Sequence, residues 1–158
     1  MVRFRASVDW ALRPDEDFPK GRYVRGHTVT FEPGPRVRGT ASAHVVGARW
    51  AEEGAADPEQ MLVAALASCH MLSFLHVARE AGLIVARYRD DAEGLMEKNA
   101  EGRYAVTRVT LRPAITWEGA PPDAAALDRL HHAAHETCFI ANSVKTEVTV
   151  EAAEGGAA

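Results

Sequence analysis

The stretch over 58–75 constrains the fold most, because it reads as one long helix that is apolar or small on nearly every face. Asp57 precedes it as an N-cap, Pro58 suits its first turn, and Gln60 completes a capping-box pattern. Gly82 supplies the left-handed residue that commonly ends a helix. A helix that is apolar all round must be buried all round. We therefore expect a homodimer in which two such helices pack together; the simpler alternative is a core helix under the sheet of a monomer.

The pattern around this helix predicts a mixed α+β fold. Alternating apolar, β-branched and aromatic residues predict strands over 23–31, 36–46, 85–96, 104–117 and 144–151. A second helix is predicted from 121–123 to about 137, with a hairpin at 98–103 and a loop at 47–56. The order of strands, helix, hairpin, helix and strand is typical of the α+β class. One domain is expected over 1–158, with its core at about 23–151 and a frayed tail at 152–158.

Charge and composition exclude several classes of function. The net charge is −4 and no basic block is present, so nucleic-acid binding is not expected. No apolar run of about 18 residues is free of polar interruption, which argues against a membrane-spanning helix. The first ten residues lack the features of a secretory signal, so we expect a cytoplasmic location. In such a compartment two cysteines stay reduced unless they cycle catalytically.

The two cysteines suggest redox chemistry. Cys69 lies about 18 Å beyond the predicted helix start, too far for the N-terminus to favour its thiolate, so a cation or a hydrogen-bond donor must come from elsewhere. Glu59 precedes Cys69 by ten residues, about 15 Å along a straight helix. If Glu59 serves the thiol site, it comes most simply from the antiparallel helix of a partner subunit. Taken alone, it is a first-turn carboxylate favoured by the helix dipole.

The histidines support an alternative, a Cys/His metal site. Two of them are four residues apart and share a helix face. The spacing matches no compact zinc pattern, so the ligands would converge from two helices. The candidate ligands are His131 and His135, with Cys138, Cys69, His70 or His76.

Two segments in register resemble the OsmC/Ohr family of osmotically inducible protein C and the organic hydroperoxide resistance proteins. The first is 57–69, with an acidic capping segment, an Ala-rich apolar run and ten residues from glutamate to cysteine. The second is 135–150, where a helix ends in a cysteine that precedes a short polar segment and a strand. The two cysteines are 69 positions apart, which is typical of the family. The resemblance covers roughly 23–151.

The resemblance implies an intertwined homodimer, with two long central helices packed against antiparallel sheets, and a thiol-dependent peroxidase. Cys69 matches the peroxidatic cysteine, which becomes a sulfenic acid on attacking an organic hydroperoxide. Cys138 matches the resolving cysteine, which closes a Cys69–Cys138 disulfide. Glu59 matches the glutamate that holds a catalytic arginine. A thiol reductant, in some members a lipoylated protein, restores the dithiol, and no cofactor is implied. A non-catalytic member that binds a small lipid-like molecule is the alternative.

Two arginines are candidates for the activating group. Arg25 lies in a segment similar to the Arg-x-His-Thr of one subgroup, and Arg49 precedes Glu59 by ten residues, as in OsmC-type members. Arg25 is slightly favoured and both are kept. The chain departs from the hydroperoxide-resistance branch at Phe139, where that branch has proline, and at His70, where many members have phenylalanine. Apolar residues near the thiol suit an organic hydroperoxide or plain core packing: Met71, Leu72 and Phe74.

Overall fold

The computed structural model describes residues 1–151, which divide near Met61 into two compact units. The predicted tail at 152–158 lies outside the described residues. Within them the chain forms eight strands and three α-helices, a mixed architecture that agrees with the predicted α+β class. The single domain over 1–158 stays a prediction.

The first unit is built on an antiparallel sheet in the order β1-β2-β3. Its strands are β1 (Arg5–Asp9), β2 (His27–Glu32) and β3 (Arg36–Gly39), and the short helix α1 (Ala43–Val46) follows. Helix α2 (Pro58–Glu80) begins in this unit and continues into the second.

The second unit holds two further sheets and a second long helix. The strands are β4 (Ile84–Asp90), β5 (Glu93–Lys98), β6 (Tyr104–Leu111), β7 (Pro113–Glu118) and β8 (Glu147–Val150), with α3 (Ala124–Thr137) before β8. Strand β4 pairs with β7, and the other sheet has the order β5-β6-β8. The β6–β8 pair is parallel, which departs from the expected antiparallel sheets.

The start and end of α2 follow its local sequence, as predicted. The Gln60 N–H donates to Asp57 Oδ1 at 2.8 Å and the Asp57 N–H donates to Gln60 Oε1 at 3.1 Å, which is a reciprocal capping box. Gly82 follows the helix with φ +74°, the left-handed conformation that glycine adopts without strain.

One stripe of α2 is fully buried, and it joins two apolar clusters. Leu66 packs in the first cluster with Val109 and Leu111 of β6. Two turns later, Phe74 packs in the second cluster with Leu130 of α3, against the β4–β7 sheet. The segment between these residues, which carries Cys69, therefore lies at the junction of the two clusters.

The opposite face of α2 is exposed within one chain, so a single chain buries only part of the helix. Burial on every side, which the sequence predicted through a homodimer, stays a prediction. Its exposed positions include Ala64, Ser68, Leu72 and His76. By length and composition α2 is the one described helix that could cross a membrane, with 22% of its apolar window buried. Core helices of soluble proteins pass the same test.

Several predicted strands were too long or were missed. The predicted strand at 85–96 is divided into β4 and β5, and that at 104–117 into β6 and β7. The chain changes direction at each break, and the two breaks lie next to each other. The Arg112 N–H donates to Asp90 Oδ1 at 2.7 Å across these corners, and Pro113 cannot donate to the ladder that β6 would continue.

The other differences concern the strands β1, β2, β3 and β8. Strand β1 was not predicted. The strand predicted at 23–31 starts only at His27, since the Val24 N–H donates to Glu16 Oε1 and its carbonyl accepts from Trp10 Nε1. The strand predicted at 36–46 ends at Gly39 and gives way to α1. Strand β8 starts at Glu147, not 144, because a 3₁₀ turn precedes it at Ala141–Ser143.

Candidate active site

Helix α2 holds the Cys69 thiol at the junction of the two clusters. Cys69 lies one turn after the fully buried Leu66, and its own side chain is partly exposed. A partly exposed thiol on a rigid helix has a fixed position and remains open to a small reactant.

The end of α3 brings the second thiol to the first. Cys138 is the C-cap of α3, where its N–H donates to the His135 carbonyl at 3.2 Å, and only 1% of its surface is exposed. The thiols of Cys69 and Cys138 lie next to each other, since one short turn donates backbone N–H groups to both sulfur atoms and Cys69 perturbs the Cys138 thiol. Burial raises the pKa of Cys138, and the contact with Cys69 raises it further. Two sulfur atoms that are 69 positions apart in the sequence therefore meet, both as free thiols.

The turn after Cys138 directs backbone N–H groups at both sulfur atoms. The Ile140 N–H donates to Cys69 Sγ at 3.4 Å, and the Ala141 N–H donates to Cys138 Sγ at 3.4 Å. The side chains of Ile140 and Ala141 pack against the first apolar cluster, which anchors the turn. Sequence reasoning found the two cysteines but not these donors, because a backbone N–H has no residue type to signal it.

Helix α2 also carries one member of a buried histidine pair, His70, directly after Cys69. His70 and His131 have 1% and 5% of their surface exposed, and His70 Nε2 lies 3.1 Å from His131 Nδ1. Burial lowers the pKa of both rings from 6.5 to about 4, so both are neutral at pH 7. The remaining nitrogens, His70 Nδ1 and His131 Nε2, are buried without a hydrogen-bond partner among the described residues.

The role of these histidines was left open by the sequence, although the position of His70 on the buried stripe of α2 was a usable signal. Within residues 1–151, no group of three or more histidine, cysteine or acidic side chains is arranged to hold a metal ion. The metal-site alternative therefore has no ligand set in this part of the chain, and the pair is better described as a buried hydrogen-bonded contact.

Glu59, Arg25 and Arg49 lie in the first unit, and each has a definite local environment. The Arg25 Nη1 donates to the Tyr23 carbonyl at 2.6 Å, and its guanidinium lies 3.9 Å from the centre of the Tyr23 ring. The Arg49 guanidinium lies 4.9 Å from the centre of the Trp50 ring.

Glu59 has a buried Oε2 atom without a hydrogen-bond partner in the described part of the chain. Within that part it forms an ion pair with neither arginine. Their predicted roles, like those of the two cysteines, stay predictions.

A long core helix and the end of a second helix thus define a dithiol protein of α+β architecture. A sequence profile described as OsmC-like protein matches residues 51–153. An OsmC-like protein of unknown function from Vibrio cholerae has a solved structure that is 43% identical, with a TM-score of 0.92 over 96% of this chain and 99% of that one. The chain belongs to the OsmC/Ohr family, as its two motifs indicated.

More distant structures share the fold alone. An organic hydroperoxide resistance protein OsmC from Legionella pneumophila is 20% identical with a TM-score of 0.68, and each chain is covered to 96%. The organic hydroperoxide resistance protein OhrB of Bacillus subtilis is 16% identical with a TM-score of 0.63, over 96% of this chain and 98% of that one. No curated protein sequence matches the chain.

Proposed function

We propose that this chain is a thiol-dependent peroxidase that reduces organic hydroperoxides through Cys69 and Cys138. The observation that carries the proposal is the contact between these two free thiols, which are remote in the sequence. A redox or peroxide-resistance role also suits the family, since proteins of the same fold include organic hydroperoxide resistance proteins.

The environments of the two thiols favour Cys69 as the nucleophile. Cys69 is partly exposed, whereas Cys138 is 1% exposed and burial raises its pKa. The Cys69 thiolate attacks the terminal oxygen of a hydroperoxide ROOH and breaks the O–O bond. The sulfur is oxidised to the sulfenic acid Cys69–SOH, and the alkoxide leaves and takes up a proton as the alcohol ROH.

Cys138 completes the half-reaction. Its sulfur attacks the sulfur of Cys69–SOH, the S–O bond breaks, and the hydroxyl leaves as water with the Cys138 proton. The product is a Cys69–Cys138 disulfide, which needs the two sulfurs to move from contact to about 2.05 Å. An external dithiol, such as a dihydrolipoyl protein, then returns both cysteines to thiols by exchange. A reducing compartment such as the cytoplasm suits this cycle, which needs no bound cofactor or metal.

Activation by an arginine belongs to the proposal. An arginine beside Cys69 would favour its thiolate and polarise the peroxide, with Glu59 holding that arginine. Arg25 and Arg49 remain the two candidates. The unpartnered Oε2 of Glu59 supports a role in which this carboxylate receives its cation from another chain.

A homodimer fits the exposed face of α2. Leu72 is 60% exposed on this face, between the small Ala64 and Ser68 and the polar His76. A second copy of α2 would cover it, as the family resemblance implies. Leu72 then belongs to the dimer contact, and the partly exposed Met71 is the apolar side chain near the thiol that favours an organic substrate. Phe74 has no exposed surface and is core.

Stoichiometric titration with cumene hydroperoxide tests the function. The parent chain is expected to lose two free thiols and gain a Cys69–Cys138 disulfide, which peptide mass spectrometry detects. Cys69→Ser is expected to consume no peroxide. The matched variant Cys138→Ser is expected to react once and then to overoxidise at Cys69.

Thiols that do not respond to stoichiometric peroxide in the parent chain would refute the enzyme function and leave the non-catalytic binding protein. Hydrogen peroxide in a parallel titration tests the substrate class, because the proposal requires the organic peroxide to react faster.

A further inference from the structure

The turn that carries the second cysteine also touches the first. The Ile140 N–H donates to Cys69 Sγ at 3.4 Å and lies close enough to Cys138 to lower the pKa of that thiol as well. Within the described residues, the Ile140 N–H has Cys69 Sγ as its hydrogen-bond acceptor by distance and angle, and the Cys138 sulfur lies nearby. A backbone donor therefore points at the atom that would react with peroxide.

The turn keeps this donor in place without help from the sulfur atoms. The Asn142 N–H donates to the Cys138 carbonyl at 3.1 Å, and the Ser143 N–H donates to the Ile140 carbonyl at 3.0 Å. The Ser143 hydroxyl donates to the Phe139 carbonyl at 2.6 Å. Ile140 also packs its side chain into the first apolar cluster. The position of the N–H is thus fixed before Cys69 ionises.

Hydrogen bonds to sulfur depend strongly on its charge. A neutral thiol is a weak acceptor, whereas an anion accepts hydrogen bonds about twice as strongly as a neutral group. A fixed N–H therefore stabilises the thiolate of Cys69 more than its thiol. We propose that the Ile140 backbone N–H is a catalytic group that favours the Cys69 thiolate, so that the turn bearing the resolving cysteine also activates the nucleophile. The inference rests on the proposed function for its catalytic meaning, but its chemistry does not need a peroxide.

The decisive variant replaces the amide between Phe139 and Ile140 with an ester, by introducing the α-hydroxy analogue of isoleucine. This change removes the N–H and keeps the side chain and backbone path. Ile140→Pro is the second variant, since the Ile140 φ of −72° is close to the value that proline requires. Phe139→Ala is the matched control, because it truncates the neighbouring side chain, which is 81% exposed, and retains the Ile140 N–H and its packing.

The measurement is the rate of Cys69 alkylation by iodoacetamide as a function of pH, resolved from Cys138 by peptide mass spectrometry. In the ester variant, and in Ile140→Pro where it keeps the circular dichroism of the parent, the thiolate fraction of Cys69 at pH 7 is expected to fall by about three- to tenfold. The pH midpoint should rise accordingly, with the limiting rate at high pH unchanged. Phe139→Ala should stay within about twofold of the parent, well below the effect of one charge-assisted hydrogen bond.

Two results would overturn the inference. One is an ester variant whose alkylation profile superimposes on that of the parent. The other is a Phe139→Ala profile shifted as far as that of the ester, because a general disturbance of the turn rather than the loss of the N–H would then be responsible. A parent that fails to consume peroxide but shows the ester shift would reject the proposed function and keep this inference.

Discussion

The buried pair of His70 and His131 should make the folded protein sensitive to acid. Burial lowers the pKa of each ring from 6.5 to about 4; His131 and His135 add to the shift of His70, while Asp128 opposes that of His131. Between these two values the unfolded chain binds more protons than the folded chain, so stability rises with pH. The stability due to neutral burial is complete above about pH 6.5 and is lost as the pH falls toward 4.

The size of this effect follows from the shift. Each ring has a pKa of 6.5 in the unfolded chain and about 4 in the folded chain. Lowering the pH from 7.5 to 5 therefore reduces the free energy of unfolding by about 2 kcal/mol for each ring. Two independent rings would cost about 4 kcal/mol, which is an upper limit because the rings contact each other. Several carboxylates titrate below pH 5, so the window from 7.5 to 5 isolates the histidines best.

Urea unfolding at one fixed protein concentration, between pH 8 and pH 5, measures this dependence. His131→Gln keeps an amide donor and acceptor at the buried position but cannot titrate, so it should lose about half of the pH dependence. His132→Gln is the control, because the side chain of His132 is 76% exposed one residue further along α3. The reasoning is refuted by a parent that loses less than about 1 kcal/mol over this range, or by a His131→Gln slope equal to that of the parent.

Two further predictions concern packing and capping. Gly94→Ala is expected to lower the free energy of urea unfolding by about 1–3 kcal/mol, since its Cβ would lie 2.6 Å from Val63 Cγ2. Adding Val63→Ala to that variant should relieve the clash, and strictly additive losses would contradict this explanation. Asp123→Ala removes the N-cap of α3, whose Oδ1 accepts the Ala126 N–H at 2.7 Å, and should cost about 1 kcal/mol in thermal or urea unfolding. Asp123→Asn should retain most of that stability, so equal losses for the two variants would exclude the capping bond as the cause.

Local chemistry was enough to predict the two long helices, α2 and α3, but not the short helix α1. Asp57, Gln60 and Gly82 act within a few residues of the ends of α2, so its bounds can be read from the sequence alone. The start of α3 was predictable for the same reason, since Asp123 caps it. The resemblance of two short segments then identified the family, although neither segment by itself contains the geometry of the thiol pair.

Long-range contacts account for what the sequence could not predict. The corner between β6 and β7 depends on a hydrogen bond from Arg112 to a side chain of another strand. The contact between His70 and His131 joins two helices through residues that are 61 positions apart in the sequence. The exposed face of α2 is a further case, since one chain buries the helix only along one stripe and burial of its other faces needs a second chain.

The parallel pairing of β8 with β6 has a consequence for the order in which the protein matures. Cys138 is carried on the crossover between these strands, and Val144 and Val148 close the apolar cluster against which its turn packs. A folding chain in which β8 has not yet paired with β6 therefore lacks part of the scaffold that holds the second sulfur near the first. The proposed dithiol chemistry would then depend on the docking of a strand that carries no cysteine of its own.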